Sequence, residues 1–411
     1  MNYLTHTCSS GLRIIHLPSS SAVIYCGFAV KAGTRHEYPG EEGLAHFCEH
    51  LSFKGTQRRT AVQIINALEG VGGELNAFTN KEDTVYYAAT TRQHFRQAVD
   101  VLSDIVFCSQ FPQHEVEKER EVVCDEIESY EDTPSELIFD EFENLLFEDH
   151  PLGHNILGTS EQVRRYNSED AHRFTRRYYR PENCIFFVSG DIDFKQLVKS
   201  LENLETLEKL AELEKLDSPV SPAPLKNLFP VPIIRQRGTH QAHVMIGCRT
   251  FPANDPRRWP LFLLNNILGG PGLNSRLNLS LRERNGLVYT VESSMASYSD
   301  TGAWSVYFGC DPHDVKCCCR LVRRELDRLM QSPLSESQLR KAKQQIRGQL
   351  TIAADNREQF TLDFAKNFLH QGTERNLEQI LAHVDALTAE QLQQVACEVF
   401  SADHLLTLVY Q

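Results

Sequence analysis

No uninterrupted apolar run in this 411-residue chain approaches the ~20 residues a membrane-spanning helix needs, so no transmembrane segment is expected. Residues Met1–Pro18 lack the basic start and the dense apolar stretch of a secretory signal, and a cytoplasmic location is expected by default. Twelve cysteines are present but no CxxC pair, and Cys317-Cys318-Cys319 are neighbours that cannot easily bridge. Neither a redox centre nor a second metal site is therefore expected, and the thiols read as reduced, small core hydrophobes. Positive charge is in deficit: 42 Lys and Arg against 55 Asp and Glu leave a net −13, spread along the chain. That balance argues against a nucleic-acid partner.

What is there is enough apolar sequence, 41%, for more than one core in a chain of this length. Strand-like stretches at Leu12–Leu17 and Ala22–Ala29 precede a helical pattern over about Glu41–Phe53 and a short helix capped by Thr60. Glu74–Thr79 and Thr84–Thr90 read as strands joined by a turn at Asn80-Lys81. Amphipathic helices fill about Arg92–Cys108 and Gln113–Phe147, the second broken or kinked at Pro134. A strand at Cys184–Ser189 and a charged helix from about Phe194 close this half. Ser218-Pro-Val-Ser-Pro-Ala-Pro reads as a semi-extended linker. Beyond it the order recurs: strands at Pro232–Arg237 and Ala242–Arg249, a helix near Trp259–Leu268, a shorter helix, a strand pair at Val288–Ser297 and Ala303–Gly309, then long helices. The expected division is residues 1–215 as one αβ domain, 216–230 as linker and 231–411 as a second, similar αβ domain.

The helical segment contains His46-Phe-Cys-Glu49-His50. At ~3.6 residues per turn the two imidazoles lie on one face, one turn apart, and can converge on a single zinc ion. Glu49 lies on the same side, where a carboxylate can take the proton of a water polarised by that ion. With 16 histidines in the chain, about 0.6 pairs at this spacing arise by chance, and His150-Pro-Leu-Gly-His154 is a second, set in a turn by its proline and glycine. The adjacent glutamate on a credible helix is what distinguishes the first pair. A third ligand is needed, leaving a fourth position open. In the helix after Gln113, the apolar stripe Val116, Val123, Ile127 and Tyr130 puts Glu119 and Glu126 at the border of core and solvent. Spacing makes both plausible and does not choose.

These residues resemble the pitrilysin/insulinase zinc peptidases, with their inverted HxxEH motif, and within them the branch similar to mitochondrial processing peptidase β-subunits. The resemblance runs through His46–Thr56, Asn76-Ala-Phe-Thr79, Glu82–Tyr87 and Glu119–Ile127, and more thinly over both halves. It implies Glu126 as third zinc ligand and Glu119 as an auxiliary catalytic carboxylate. Leu281-Arg282-Glu-Arg-Asn-Gly286-Leu-Val-Tyr289 is similar to the family's Arg/Tyr element, which implies that Arg282 and Tyr289 meet the substrate carbonyl. Cys48 stands inside the motif where similar proteins commonly carry leucine, and reads as a core residue. No HxxEH occurs in Trp259-Pro-Leu-Phe-Leu-Leu-Asn-Asn266, so one centre per chain is expected.

The reading that results is an α/β (α+β) zinc metalloendopeptidase. Two similar domains, each a mostly antiparallel sheet packed with helices, face each other across a substrate cavity. One Zn²⁺ is held by His46, His50 and Glu126, and Glu49 is the general base and acid. Asn76, Ala77 and Phe78 are expected on an edge strand that an extended, short or unfolded peptide joins through its backbone. A homodimer is expected, with a heterodimer beside an inactive paralogue as the alternative. The rival functions are a non-catalytic scaffold of the same fold and a zinc hydrolase of a non-peptide amide.

Overall fold

The computed structural model describes residues 3–212, 231–374 and 376–411. The expected linker, 216–230, lies outside the described residues. The first sheet contains β1 (Leu4–Thr7), β2 (Arg13–Pro18), β3 (Val23–Val30), β4 (Glu74–Thr79), β5 (Thr84–Thr91) and β6 (Cys184–Gly190). Its order is β1-β2-β6-β3-β5-β4, antiparallel throughout except for the β2/β6 pair. The second sheet contains β7 (Ile233–Arg235), β8 (Ala242–Thr250), β9 (Val288–Ser297), β10 (Gly302–Cys310) and β11 (Leu406–Tyr410). It runs β7-β11-β8-β10-β9, with β7/β11 its one parallel pair. Setting β2, β6, β3, β5, β4 beside β7, β11, β8, β10, β9 gives the same order and the same strand senses. The repeat of architecture expected from the sequence is present, with β1 added to the first sheet.

Residue alternation explains how each sheet is packed. In β6 every residue is buried, because both faces are covered. Phe186 and Val188 join Phe28, Tyr86 and the helices α1 (Leu44–Ser52) and α3 (Phe95–Phe107) in one core, with α2 (Ala61–Glu69) packed at its side. Ile185 and Phe187 point the other way, to Ile15, Ala29 and Val85, and are covered by Phe360, Phe364, Ala365 and Phe368 of the helix Arg357–Gln371. In the second sheet Val244, Ile246, Trp304, Val306 and Phe308 face the main core. Met245, Tyr307, Leu406, Leu408 and Tyr410 face the opposite way, onto Leu137, Ile138, Phe142 and Leu146.

Those last four belong to α5 (Pro134–Leu146), which follows α4 (Gln113–Glu131) after the break expected at Pro134. A helix from the first half of the chain thus covers the second sheet, and a helix from the second half covers the first. The two compact units are accordingly discontinuous: the described residues within Met1–Glu128, His154–Pro222 and Ala354–Arg375 form one, and those within Ser129–Gly153, Ala223–Ala353 and Asn376–Gln411 the other. This differs from the contiguous division at 215 and 231 by the exchange of two segments. The physical reason is that each sheet has a second apolar face that its own half of the chain leaves bare.

Candidate metal centre

Helix α1 is buried on nearly every side: of its nine residues only His50 is not. Its start is unusual. Gly43 is left-handed at φ 88°, and a Cβ there would stand 2.6 Å from the carbonyl oxygen of Leu157, so only glycine fits. The free N–H groups of the first turn are met by a side chain from upstream: Gly43 N donates to Glu37 Oε2 (3.0 Å) and Ala45 N to Glu37 Oε1 (2.7 Å). His154 Nε2 lies 2.8 Å from the same carboxylate, and Lys81 donates to the His154 carbonyl oxygen. Burial pushes the Glu37 carboxyl up to about 7 against the opposing hydrogen bond of His154. Cys48 is fully buried, its thiol toward the Ala171 carbonyl oxygen of the helix Ser168–Tyr178.

His46 and His50 emerge together from this helix, their ring centroids 4.5 Å apart. Glu126 of α4 reaches both: its Oε2 is 3.9 Å from His46 Nε2 and 3.5 Å from His50 Nε2. These separations exceed hydrogen bonds and approach the roughly 3.3–3.5 Å between donors that share one tetrahedral ion at about 2.1 Å. All three ligand atoms lie within 4.8 Å of one another. Burial, then the neighbouring His50, lowers the His46 pKa to about 3, so that imidazole is neutral and carries a lone pair for an ion.

Glu119, the other candidate, does something different. Its Oε1 lies 3.0 Å from His50 Nδ1 and its Oε2 2.8 Å from Lys54 Nζ. Burial opposes its charge, but the hydrogen bonds of His50 and Lys54 outweigh it and hold the carboxyl below its ordinary value. With Nδ1 donating to Glu119, His50 presents Nε2 toward Glu126, the arrangement by which carboxylates orient metal-binding imidazoles. His46 has no such support: its Nδ1 is buried without a hydrogen-bond partner among the described residues, so packing within α1 sets that ring. The donor set and its spacing fit a divalent ion that accepts nitrogen and oxygen ligands.

Glu49 is buried, and its Oε2 accepts a 2.7 Å hydrogen bond from Thr79 Oγ1 at the end of β4. Burial raises its pKa, helped by the charge of Glu126 and opposed by Thr79 and His50. β4 is the edge of its sheet, paired only with β5 among the described residues, and carries Asn76, Ala77 and Phe78. The edge strand expected from the sequence therefore leads into the residue that holds Glu49. Arg282 and Tyr289 belong to the second unit, where the guanidinium sits 5.4 Å from the tyrosine ring centroid. Arg282 lies on a short π-helical turn, Asn278–Glu283, and Tyr289 is 80% exposed, so it is not a core residue of β9. Glu37, His154, Lys54 and Thr79 were not singled out from the sequence as site residues. No spacing rule marks them, because each acts from another element.

Residues 14–160 match the family described as Insulinase (Peptidase family M16), and residues 165–346 match the Peptidase M16 inactive domain. The chain is 32% identical over 407 residues to the protein named "Uncharacterized zinc protease YmxG" of Bacillus subtilis (strain 168), covering 98% of this chain and 97% of that one. This chain belongs to peptidase family M16. Another relative, "Uncharacterized zinc protease ML0855" of Mycobacterium leprae (strain TN), is 34% identical over 397 residues, or 96% of this chain and 88% of its own. The M16 fold is matched in solved structures of a protease from Helicobacter pylori and a peptidase M16 inactive domain from Pseudomonas fluorescens. Each has a TM-score of 0.89 over all of this chain, at 22% and 17% identity and 99% and 98% coverage of the solved chain. The three residues converging at the candidate centre fall in the first matched segment, and Arg282 and Tyr289 in the second.

Proposed function

We propose that this chain is a zinc metalloendopeptidase of short or unfolded peptides, with His46, His50 and Glu126 as ligands and Glu49 as the proton carrier. The observation that carries the reading is the convergence of two imidazole nitrogens and one carboxylate oxygen, on a helix that also presents Glu49. The relatives' names, which call them zinc proteases, support zinc as the ion. When bound, zinc would polarise the scissile carbonyl and lower the pKa of an attacking water.

The chain's own groups divide the remaining work. Thr79 holds Glu49 Oε2, which leaves Oε1 to accept the proton of the attacking water and later deliver it to the leaving amine. Burial of Glu49 supports this role, since a raised pKa suits a group that must both take and return a proton. Glu119 and Lys54 keep His50 oriented rather than touching substrate. The main-chain groups of Asn76, Ala77 and Phe78 would pair with an extended peptide, which favours unfolded substrates. Arg282 and Tyr289 are proposed to stabilise the oxyanion, a role supported by the family resemblance and by the exposure of Tyr289. Kinship with the mitochondrial processing peptidase branch, pairing of two copies and a cytoplasmic setting belong to the same proposal.

Substituting Glu49→Gln tests it. The expected result is an intact metal content, one zinc per chain at this centre, with peptide hydrolysis reduced by about 10²–10⁴-fold. Hydrolysis that survives the substitution would refute the assignment of Glu49. A wild-type chain that binds zinc and cleaves no peptide in a mixed library would instead favour the scaffold or another amide as substrate.

A further inference from the structure

Away from α1, the first unit brings together a second set of metal-binding groups. His6 on β1 and Cys8 just beyond it meet Glu202, the last residue of the helix Phe194–Glu202. Their ligand atoms all lie within 4.8 Å of one another, as do those of His46, His50 and Glu126. We propose that His6, Cys8 and Glu202 form a second metal site, taking one divalent transition ion of the zinc or cobalt class and tying β1 to the end of that helix.

The surroundings are built for it in three respects. Glu202 divides its oxygens: Oε2 accepts from Ser9 N (3.1 Å) and Ser9 Oγ (2.8 Å), while Oε1 faces His6 Nε2 at 3.0 Å. The Ser9 bonds are the outer support by which a ligating carboxylate is held in direction. The thiol is held too, because Cys8 opens a tight turn in which Cys8 N donates to Leu12 O (2.8 Å) and Gly11 N to Cys8 O (2.9 Å), with Gly11 at φ 91°. Finally, the carbonyl end of a nine-residue helix adds its negative pole to the Glu202 charge, so the spot favours a cation.

Without an ion, His6 Nε2 and Glu202 Oε1 are in hydrogen-bond contact and Cys8 keeps its proton, since burial and then the Glu202 charge push the thiol up to about 12. Binding the ion would release that proton and replace the pair by three bonds to one cation. A mixed sulfur, nitrogen and oxygen donor set suits Zn²⁺ and Co²⁺ over the hard ions Mg²⁺ and Ca²⁺. His6 is partly exposed, so a fourth position is open to water. Cys8 and Glu202 are 194 positions apart in the chain, which is why the absence of CxxC spacing in the sequence did not reveal them.

Cobalt substitution separates this site from the candidate catalytic centre, which contains no sulfur. The full chain, stripped of metal and loaded with Co²⁺, should bind two ions and show thiolate-to-cobalt charge-transfer absorption in the near ultraviolet. Cys8→Ser should remove that band and one of the two ions while leaving peptide hydrolysis in place; His6→Ala should weaken the same ion if Cys8→Ser folds poorly. Binding of a single ion, or a band that persists in Cys8→Ser, would overturn the proposal and leave His6 and Glu202 as a hydrogen-bonded pair only.

Discussion

Spacing alone left Glu119 and Glu126 as equal candidates for the third ligand, and their surroundings now predict different results when each is removed. Glu119 is 4% exposed and touches the centre only through His50 Nδ1, at 3.0 Å. Removing a partner that orients a ligand weakens metal binding by about 10–100-fold, or roughly 1.4–2.7 kcal/mol. Glu119→Gln should fall at the mild end, because its amide oxygen can still accept from His50. Its amide nitrogen would then oppose the Lys54 ammonium, which now lies 2.8 Å from Glu119 Oε2. Glu119→Ala should fall at the severe end. Glu126→Ala removes a charged donor and should weaken zinc more than either, with little effect on folding of the metal-free chain, since Glu126 is 44% exposed. The assay is competition for Zn²⁺ against a chromophoric chelator, with circular dichroism to confirm that each variant is folded. The reasoning fails if Glu119→Ala costs more affinity than Glu126→Ala, or if a folded Glu119→Ala binds within about twofold of wild type.

Other consequences are open to direct measurement. Gly43→Ala should destabilise the chain by about 1–3 kcal/mol in urea titration, since the residue sits at φ 88° with a carbonyl oxygen 2.6 Å from the new Cβ. Phe364→Ala should cost about 3–5 kcal/mol, because this fully buried ring of the exchanged helix packs edge-on against Tyr3 and Phe187. In chelator, His46→Leu should gain on the wild type as pH falls from about 6.5 toward 3. The folded imidazole is held at about 3, so the unfolded chain takes up the proton first and acid draws the wild type apart. Equal acid sensitivity of the two in denaturant titrations would show that His46 is not held neutral by burial.

The local patterns carried the elements well, and for a physical reason. The strand Glu74–Thr79 is delimited by a turn, and α1 and α2 by glycine and a capping threonine, all of which act over a few residues. Thr60 caps α2 through Gln63, as its position implied. β1 and β11 were not named from the sequence, being only four and five residues long, too short for an alternating pattern to stand out. The exchange of α5 with the helix Arg357–Gln371 was equally hidden, because an apolar helix face is complementary to any apolar sheet face and carries no address. At the site, the HxxEH period showed His46, Glu49 and His50. Glu37 was invisible because it caps α1 from six and eight residues upstream, where no capping box would place an acceptor.

The duplicated architecture explains how one half can tolerate a costly site. The helix Arg258–Gly269 packs against β9 as α1 packs against β4, so the two occupy matching positions in matching sheets. In the second unit that helix buries Leu261, Leu263, Leu264 and Leu268 with one polar side chain, Asn266, whereas α1 buries His46, Glu49 and Ser52 among its apolar residues. A leucine at such a position stabilises by burial alone; a histidine with an unpartnered Nδ1 and a carboxylate pushed above its ordinary pKa do the opposite. Ionisable side chains held at that expense, and absent from the buried positions of the matching helix, are what a site selected for chemistry rather than stability should contain.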